Sequence, residues 1–422
     1  MITLSDVCCE IVDCEHKTAP ISVSGYPSIR TTDIKNGRIL FDQANRVSKE
    51  TYDAWTRRRT PVPGDLILAR EAPVGEVGYI PEGQFPVLGQ RTVLISPDRE
   101  KVVPRFLHYL MISPEIQHEL HVRSTGSTVL HLNMKDIREL ELNNMPPLSE
   151  QREIAAILGA LDDKIVVNHR ASAILEEMAR ALYQSWFIDF DPVHARVEGR
   201  APAHMDPATA ALFPDSFGDN GLPEGWEFGR LADLAIQSKN SVKPEQIDPE
   251  TPYIGLEHMP RRSIALNQWG TAGDVGSQKS AIRTGDFMFG KLRPYFHKVG
   301  VSPVNGICST DIIVLRPITD EWSGLVLSVI SSDEFVEHTN AGSAGTRMPR
   351  TKWADMGAYK IPVPPVAVGA AFEKLVKPWR DRIIGGIHEN QTLAALRDAL
   401  LPKLMSGEIR VEAARARIAE IA

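Results

Sequence analysis

The segment at residues 285–291 has the spacing with which a phosphate-binding P-loop begins, Gly285-x4-Gly290-Lys291. A P-loop requires Ser or Thr at the next position, because that hydroxyl holds the Mg²⁺ of the bound nucleotide, and this chain has Leu292 there. The turn at residues 97–101 has the acidic residues and the lysine of a nuclease motif, but they stand too close together. We therefore predict neither nucleotide binding at the first segment nor nuclease chemistry at the second, which we interpret as a solvated turn.

Other catalytic and ligand-binding motifs are missing from the sequence. It has no Gly-x-Gly-x-x-Gly after a predicted strand, no glycine-rich S-adenosylmethionine loop and no Asn/Asp-Pro-Pro-Tyr/Phe tetrapeptide. It also has no His-Glu-x-x-His or His/Cys cluster with metal-ligand spacing. Of its 4 cysteines, Cys8, Cys9 and Cys14 crowd the N-terminus and Cys308 stands alone, which favours buried free thiols over disulfides or a metal site. We predict no catalytic residue, no metal and no cofactor in this chain, and this absence favours binding or scaffolding.

Residues suited to binding nucleic acid recur in both halves of the chain. Arginine and lysine contact phosphates, while hydroxyl, amide and guanidinium groups contact base edges. The predicted DNA-binding residues of the first half are Lys17, Lys35, Arg57, Arg58, Arg70, Arg123, Thr125, Ser127 and Thr128, the last four in a loop at residues 123–128. Those of the second half are Arg261, Arg262, Lys279, Lys291, Arg293 and Arg347, the last in a similar loop at residues 342–347. Any one arginine is also compatible with a solvated surface and either loop with a structural turn, but the recurrence of the loop favours binding.

The elements that carry these residues occur twice. The strand signal Gly-Asp-Leu-Ile-Leu at residues 64–68 returns as Gly-Asp-Phe-Met-Phe at residues 285–289, 221 positions later. The Pro-Pro pair at residues 146–147 likewise returns at residues 364–365, and each pair precedes a long helical pattern. A repeat of about half the chain is too long for a solenoid unit and indicates two copies of one domain-plus-helix module. Two such modules suit a target that itself has two separated parts.

Short β-like runs punctuated by Pro, Gly, Asn and Asp fill residues 1–147 and 223–365, and one helix is predicted at about residues 104–120. We predict an α+β fold in which each segment is a compact domain with a mostly antiparallel or barrel-like sheet. The length of 422 residues and the hydrophobic content of 43% are those of a globular protein with two to three domains. The net charge of −7 argues against a uniformly basic surface and leaves local basic clusters open. No membrane span or signal peptide is recognisable, so we expect a cytoplasmic protein.

Two long helices with apolar seams are predicted at residues 148–190 and 366–407. Steps of four and three residues are typical of a coiled-coil seam, and about 36 residues form a rod of roughly 54 Å. The seam of the first helix comprises Ile154, Leu158, Leu161, Ile165, Asn168, Ser172, Leu175, Ala179, Leu182 and Trp186. The seam of the second comprises Phe372, Val376, Trp379, Ile383, Gly386, Asn390, Leu393, Arg397, Leu400 and Leu404. Gly385-Gly386 falls close to Asn168-His169 in the repeat, so both seams weaken near their middle, through close helix approach, a polar register mark or local tolerance.

The connection at residues 191–222 is rich in Pro, Gly, Ala and Asp, with a short helical stretch predicted near residues 208–212. A linker of this kind allows the second helix to return antiparallel to the first. A tail follows at residues 408–422. The predicted architecture is two similar globular domains separated by an antiparallel pair of long helices.

This pattern resembles the specificity subunits of type I restriction-modification systems, over essentially the whole chain. The most specific similarities are Pro-Pro-Leu-Ser-Glu-Gln-Arg-Glu-Ile at residues 146–154, Leu-Asp-Asp-Lys-Ile at 161–165 and the aromatic segment at 181–192. Residues 210–217 resemble the linker of that family, residues 400–409 the end of its C-terminal helix, and Gly126-Ser127-Thr128 with Leu132 the end of a target recognition domain. The second helix departs from the first through its Gly-Gly pair and lacks the Leu-Ser-Glu-Gln start.

The resemblance implies that each globular domain is a target recognition domain that reads one half of a split double-stranded DNA sequence. It implies that the helices set the gap between the halves and dock two methyltransferase subunits, and that the complex recruits a restriction subunit. S-adenosylmethionine, ATP and Mg²⁺ are then expected in those partner subunits. A rod of roughly 54 Å corresponds to about 16 base pairs, at about 3.4 Å of rise each. The alternatives are a stand-alone bipartite DNA-binding regulator and a coiled-coil scaffold whose domains bind protein.

Overall fold

The computed structural model of the chain describes residues 2–126, 130–143, 145–273, 275–343 and 348–421. It divides into two units, one comprising Met1–Lys164 with Leu393–Ala422, and the other Ile165–Thr392. Each unit contains one β-rich domain and a segment of each of two long helices, which confirms the α+β class.

The first β-rich domain is built on a four-stranded antiparallel sheet. The strands of this domain are β1 (Cys8–Asp13), β2 (Tyr26–Ile29), β3 (Ile34–Lys35), β4 (Arg38–Ile39), β5 (Asn45–Val47), β6 (Leu66–Ala69), β7 (Val77–Tyr79), β8 (Val87–Leu88) and β9 (Thr92–Pro97). The main sheet has the order β1-β9-β6-β7, beside a smaller sheet β5-β2-β8 and the hairpin β3-β4. The helices are α1 (Lys49–Trp55), α2 (Pro104–Met111), α3 (Pro114–Arg123) and α4 (Met134–Arg138).

The main sheet of the first domain is buried on both faces because alternate residues of its central strand enter two different cores. Leu66 and Leu68 of β6 pack in the core that contains α2 and α3, whereas Ile67 and Ala69 pack in the core that contains Ile29 of β2. This alternation is the period-two pattern of a strand. It explains why β6 is apolar at every position.

The sequence predicted one helix at residues 104–120, and the structure has two, α2 and α3. The break falls at Ile112 and Ser113, directly before Pro114. Proline disfavours helical backbone in the residue that precedes it, and Ser113 accordingly has extended geometry with φ −66° and ψ 149°.

The second β-rich domain repeats this plan. After the long helix α5 (Leu148–Tyr183) its helices are α6 (Asp191–Val197), α7 (Pro207–Ala210), α8 (Leu231–Leu234), α9 (Ser323–Ile330), α10 (Asp333–Ala341) and α11 (Trp353–Gly357). Its strands are β10 (Glu227–Arg230), β11 (Ala235–Gln237), β12 (Ser241–Val242), β13 (Pro252–Ile254), β14 (Gly270–Thr271), β15 (Lys279–Ile282), β16 (Phe287–Gly290), β17 (Val299–Val301), β18 (Gly306–Cys308), β19 (Ile312–Pro317) and β20 (Lys360–Val363). The sheet β11-β19-β16-β17 matches β1-β9-β6-β7 in order and direction. The repeat in the sequence is therefore a repeat in topology.

The second long helix is α12 (Val366–Met405), and contacts inside each unit show that it packs antiparallel to α5. In the first unit Asp162 contacts Arg397, and in the second unit Asn168 contacts Asn390. Residue numbers thus rise along one helix as they fall along the other.

Polar residues occupy the middle of the helix pair. The Asn168 amide, which is buried, donates to Asn390 Oδ1 at 2.9 Å and to Glu389 Oε2 at 3.0 Å. A Cβ added at Gly386 would stand 3.9 Å from the Asn168 Cβ, and one at Gly385 would meet nothing within 4 Å. The glycine pair is therefore not required by close helix approach, and the buried Asn–Asn contact is the polar mark in the seam.

Residues outside the two domains and the long helices also form helix. The linker predicted at residues 191–222 contains α6 at its start, where no helix was predicted, and α7 close to the helical stretch predicted near residues 208–212. The predicted tail contains α13 (Val411–Ile421), whose Val411 and Ala414 are buried in the core of the first unit. None of the helices in the described part of the chain is long and apolar enough to cross a membrane.

Candidate nucleic-acid interface

One end of the main sheet of the first domain collects several of the predicted binding residues. Because β1, β9 and β6 are antiparallel neighbours, the end of β1, the start of β9 and the end of β6 lie at the same edge. We call the residues at this edge the first basic corner and define it as Asp13, His16, Lys17, Arg58, Arg70 and Arg91.

Arg70 holds the first basic corner together. Its Nη1 donates to Asp13 Oδ2 at 2.5 Å, its Nε donates to the Leu132 carbonyl at 3.1 Å, and its backbone N–H donates to the Arg91 carbonyl at 3.0 Å. Charge-assisted bonds of this kind fix the direction of a guanidinium. Arg70 therefore supports the corner, and the more exposed cations around it are the ones free to reach a ligand.

The exposed cations of the first basic corner are Lys17, Arg58 and Arg91. Arg58 lies 3.5 Å from Glu15 and donates to the Asp13 carbonyl at 3.4 Å. Arg91 has a left-handed backbone, with φ 64°, and lies 3.1 Å from Glu71. Exposed pairs of this geometry are weak, so a phosphate competes well for either arginine.

His16 lies beside these cations and was not predicted. Its imidazole is 63% exposed and its Nε2 lies 3.1 Å from Asp13 Oδ2. Asp13, Cys14 and His16 present possible metal ligands within 4.8 Å of one another. However, Asp13 already accepts the Arg70 guanidinium, and Cys14 Sγ accepts the Arg91 N–H at 3.2 Å. We assign no metal to this group, because both would have to give up these donors to bind one.

The second domain has an equivalent edge, the second basic corner, which we define as Lys291, Arg293, Asp311 and Arg350. Lys291 follows β16 as Arg70 follows β6, and its N–H donates to the Asp311 carbonyl at 2.9 Å. Asp311 Oδ1 lies 3.9 Å from Lys291 Nζ and 3.4 Å from Arg350 Nε. The carboxylate thus comes from the residue before β19 instead of from the end of β1. The two corners share a backbone framework and differ in the groups that they present.

Phe296 extends the second basic corner. The Arg261 guanidinium lies 4.2 Å from the centre of its ring and the Arg293 guanidinium 5.9 Å. Arginine stacks favourably on aromatic faces, so the ring brings together two of the predicted residues. Arg262, the next residue, turns away and donates to Asp333 Oδ1 at 2.7 Å.

Several predicted residues lie elsewhere or are engaged within the protein. Lys35 and Arg57 are exposed on β3 and after α1, respectively. Arg123, at the end of α3, donates to the Glu139 carbonyl at 3.2 Å. Lys279 is only 9% exposed and its Nζ donates to Ser277 Oγ at 2.7 Å, so its amine is not presented to solvent.

The predicted Gly/Ser/Thr loops are described only in part. The Thr125 N–H donates to the His131 carbonyl at 2.9 Å, and the His131 N–H donates to the Thr125 carbonyl at 2.8 Å. His131 also forms an antiparallel β-bridge with Glu71, which lies beside the first basic corner. Ser127, Thr128 and Arg347 lie outside the described residues.

Sequence reasoning missed His16 and Arg350, and it counted Arg91 only among the basic residues of the first half. A signal was present, because the residue directly before β9 and the residue directly before β19 are equivalent in the repeat. When the two halves are aligned, Arg91 of the first domain and Asp311 of the second occupy the same position with different side chains.

Comparison with known proteins shows which class of protein this chain resembles. Residues 2–177 match the family described as the type I restriction modification DNA specificity domain. The type I restriction enzyme MjaIX specificity subunit of Methanocaldococcus jannaschii is 26% identical over 363 residues, covering 83% of this chain and 78% of that protein. The HindI specificity subunit of Haemophilus influenzae is 23% identical over 454 residues, covering 92% of this chain and 95% of that one. A crystal structure of the S subunit of a type I restriction-modification system from M. genitalium superimposes with a TM-score of 0.54 at 16% identity, covering 96% and 95% of the two chains.

Residues 2–177 therefore carry the DNA specificity domain of type I restriction-modification systems, and over most of its length the chain is similar to the specificity subunits of those systems. This match confirms the resemblance drawn from the sequence. A specificity subunit is the non-catalytic, DNA-binding member of such a system, which agrees with the catalytic motifs missing from this sequence.

Proposed function

We propose that this subunit reads a bipartite DNA target, with one β-rich domain on each half. The observation that carries the proposal is the repeated basic corner, in which one framework presents Lys17, Arg58 and Arg91 in the first domain and Lys291, Arg293 and Arg350 in the second. Direct readout depends on which donors and acceptors reach the base edges. Two corners with different groups on one framework suit two different half-sites.

We further propose that the helix pair sets the gap between the half-sites and docks two methyltransferase subunits. Val167, Ile174 and Met178 of α5 are large, apolar and exposed. They follow one another at steps of seven and four residues, which places them along one face of the helix. An exposed apolar stripe of this kind fits a helix of a partner. S-adenosylmethionine, ATP and Mg²⁺ then belong to the methyltransferase and restriction subunits, which this chain directs to DNA.

The proposal is tested by mapping methylated sites in cells that produce this chain with its methyltransferase. Replacing residues 1–147 with the equivalent domain of a relative should change one half-site and preserve the other half-site and the gap. A matched exchange of residues 223–365 should change only the other half-site. An exchange that alters both half-sites, or neither, would contradict the division between the domains.

Co-purification with the methyltransferase and binding to duplex DNA together separate the proposal from its two alternatives. A stand-alone DNA-binding regulator would bind DNA without retaining a methyltransferase, and a protein-binding scaffold would not bind duplex DNA.

A further inference from the structure

The Asp162 carboxylate joins three elements of the first unit to α5. Its side chain is 14% exposed. Its Oδ1 accepts Arg38 Nη2 of β4 and Arg397 Nη1 of α12, both at 2.7 Å, and its Oδ2 accepts the Tyr109 hydroxyl of α2 at 2.7 Å. Burial alone would raise the pKa of Asp162, but Arg397, Tyr109 and Arg38 together lower it below its ordinary value. The group is an ionised acceptor that holds two elements of the first domain on the helix pair.

Arg105 of α2 reinforces this attachment. It donates to both carboxylate oxygens of Asp163, at 2.7 and 2.9 Å, and to the Gly159 carbonyl at 3.1 Å. A Cβ added at Gly159 would stand 2.8 Å from the Arg105 Cζ. Glycine in the helix therefore leaves the space in which the guanidinium lies against α5.

Glu176 has the corresponding role in the second unit. Its carboxylate accepts Ser263 Oγ at 2.8 Å and the Ile264 N–H at 3.0 Å. These donors lie in the segment between β13 and β14 of the second domain, and the acceptor lies on α5. One acidic side chain again attaches a β-rich domain to the helix.

These two attachments are not copies of each other. At the repeat offset of the long helices, Asp162 corresponds to Arg380, which pairs with Glu373 of its own helix at 2.6 Å. Glu176 corresponds to Ala394, which has no acidic group. Each domain is thus held by its own acidic residue, although the domains themselves are repeats. This indicates that each attachment is specific to the orientation of one domain.

We propose that Asp162 and Glu176 are positioning residues that fix the angle of each domain on the helix pair and so determine which gap between half-sites the subunit accepts. This inference rests on the proposed bipartite function. One added base pair moves a half-site by about 3.4 Å and rotates it by about 35°. A domain held by charge-assisted hydrogen bonds resists that displacement, and a domain released from them follows it more easily.

The test uses the complete complex with its methyltransferase subunits and duplexes that carry both mapped half-sites. The gap is the mapped one, or one base pair shorter or longer. The variants Tyr109→Phe, Arg38→Gln and Ser263→Ala remove donors on the domain side and keep both carboxylates on α5. Glu153→Gln and Glu177→Gln are matched controls, since both residues are exposed on α5 and neither pairs with any residue in the described part of the chain.

We expect each domain-side variant to lower the ratio of affinities for the mapped and altered gaps by about tenfold, the factor that a charge-assisted hydrogen bond is worth. The preferred bases of each half-site should not change, and the controls should keep the wild-type ratio. Equal weakening at every gap length, or a ratio within twofold of wild type in all three variants, would overturn the positioning role. If the wild-type complex itself does not distinguish the gaps, the bipartite function fails before the variants are compared. Tyr109→Phe and Ser263→Ala each remove one hydroxyl group, so loss of folding is not expected to obscure the result.

Discussion

His108 makes the stability of the first unit depend on pH. The imidazole is buried on α2, and its Nε2 lies 2.8 Å from the Gly37 carbonyl, to which the neutral ring donates. Burial lowers the pKa of His108 to about 4, from an ordinary value of 6.5. The unfolded chain therefore binds a proton between pH 6.5 and pH 4 that the folded chain does not bind, and stability is lost as the pH falls through that range.

The magnitude follows from the two pKa values. Linkage gives a loss of about 2 kcal/mol at pH 5 and about 3 kcal/mol at pH 4, relative to pH 7.5. The loss is complete near the folded pKa, because both states are protonated below it. The perturbation that isolates this effect is His108→Gln, since glutamine retains an N–H donor for the Gly37 carbonyl and does not titrate.

The assay is hydrogen exchange of the α2 and β6 amides between pH 7.5 and pH 5, corrected for the intrinsic exchange rate. The free energy of opening should fall by about 2 kcal/mol more in the wild type than in His108→Gln. His118→Gln is the control, because His118 is exposed on the neighbouring α3 and should leave the wild-type pH dependence in place. Parallel pH profiles for wild type and His108→Gln would refute the assignment.

Three further predictions concern assembly, chemistry and DNA binding. Replacing Leu161 and Ile165, which are 4% and 3% exposed, with Asp should cost several kcal/mol and reduce both helicity by circular dichroism and retention of the methyltransferase. If that double variant assembles normally, the helix pair does not form the docking surface. The purified chain should neither turn over S-adenosylmethionine nor cleave DNA nor hydrolyse ATP, and measurable turnover by the isolated subunit would contradict the assignment of chemistry to its partners. Neutralising Arg57 and Arg58 with Gln should reduce the slope of log K against log salt by about 1 per lost phosphate contact, whereas an unchanged slope would remove these residues from the DNA interface.

The sequence was sufficient to predict the repeat, the α+β class and the seam of the helix pair. These features are local and periodic, as in Leu66 to Ala69 and in Ile154, Leu158 and Leu161. In each segment the spacing of the apolar residues is enough to predict which side chains are buried. The Asp162 attachment could not be predicted in this way. Its partners Arg38 and Arg397 are 124 and 235 positions away, and nothing in the periodicity of either segment pairs them.

The basic corners were predicted only in part, for a related reason. Composition indicated Arg58, Arg70 and Lys291 as cationic residues, but their roles depend on what surrounds them. Arg70 donates to Asp13 and supports the edge, while Arg91, directly before β9, is exposed and can reach a ligand. Strand order decides which of these residues meet, and strand order is a tertiary property.

The polar layer in the middle of the helix pair also bears on the origin of the chain. The repeat offset of the long helices carries Asn168 onto Gly386 and Ser172 onto Asn390. It therefore carries the Asn168–Asn390 contact onto the neighbouring Ser172–Gly386 contact, within the same layer. A contact that the repeat maps onto its own neighbour is the pattern expected if a symmetric dimer of a half-length chain preceded the duplicated polypeptide. On that history, the asparagine, serine and glycine of this layer are positions at which two originally identical halves have since diverged.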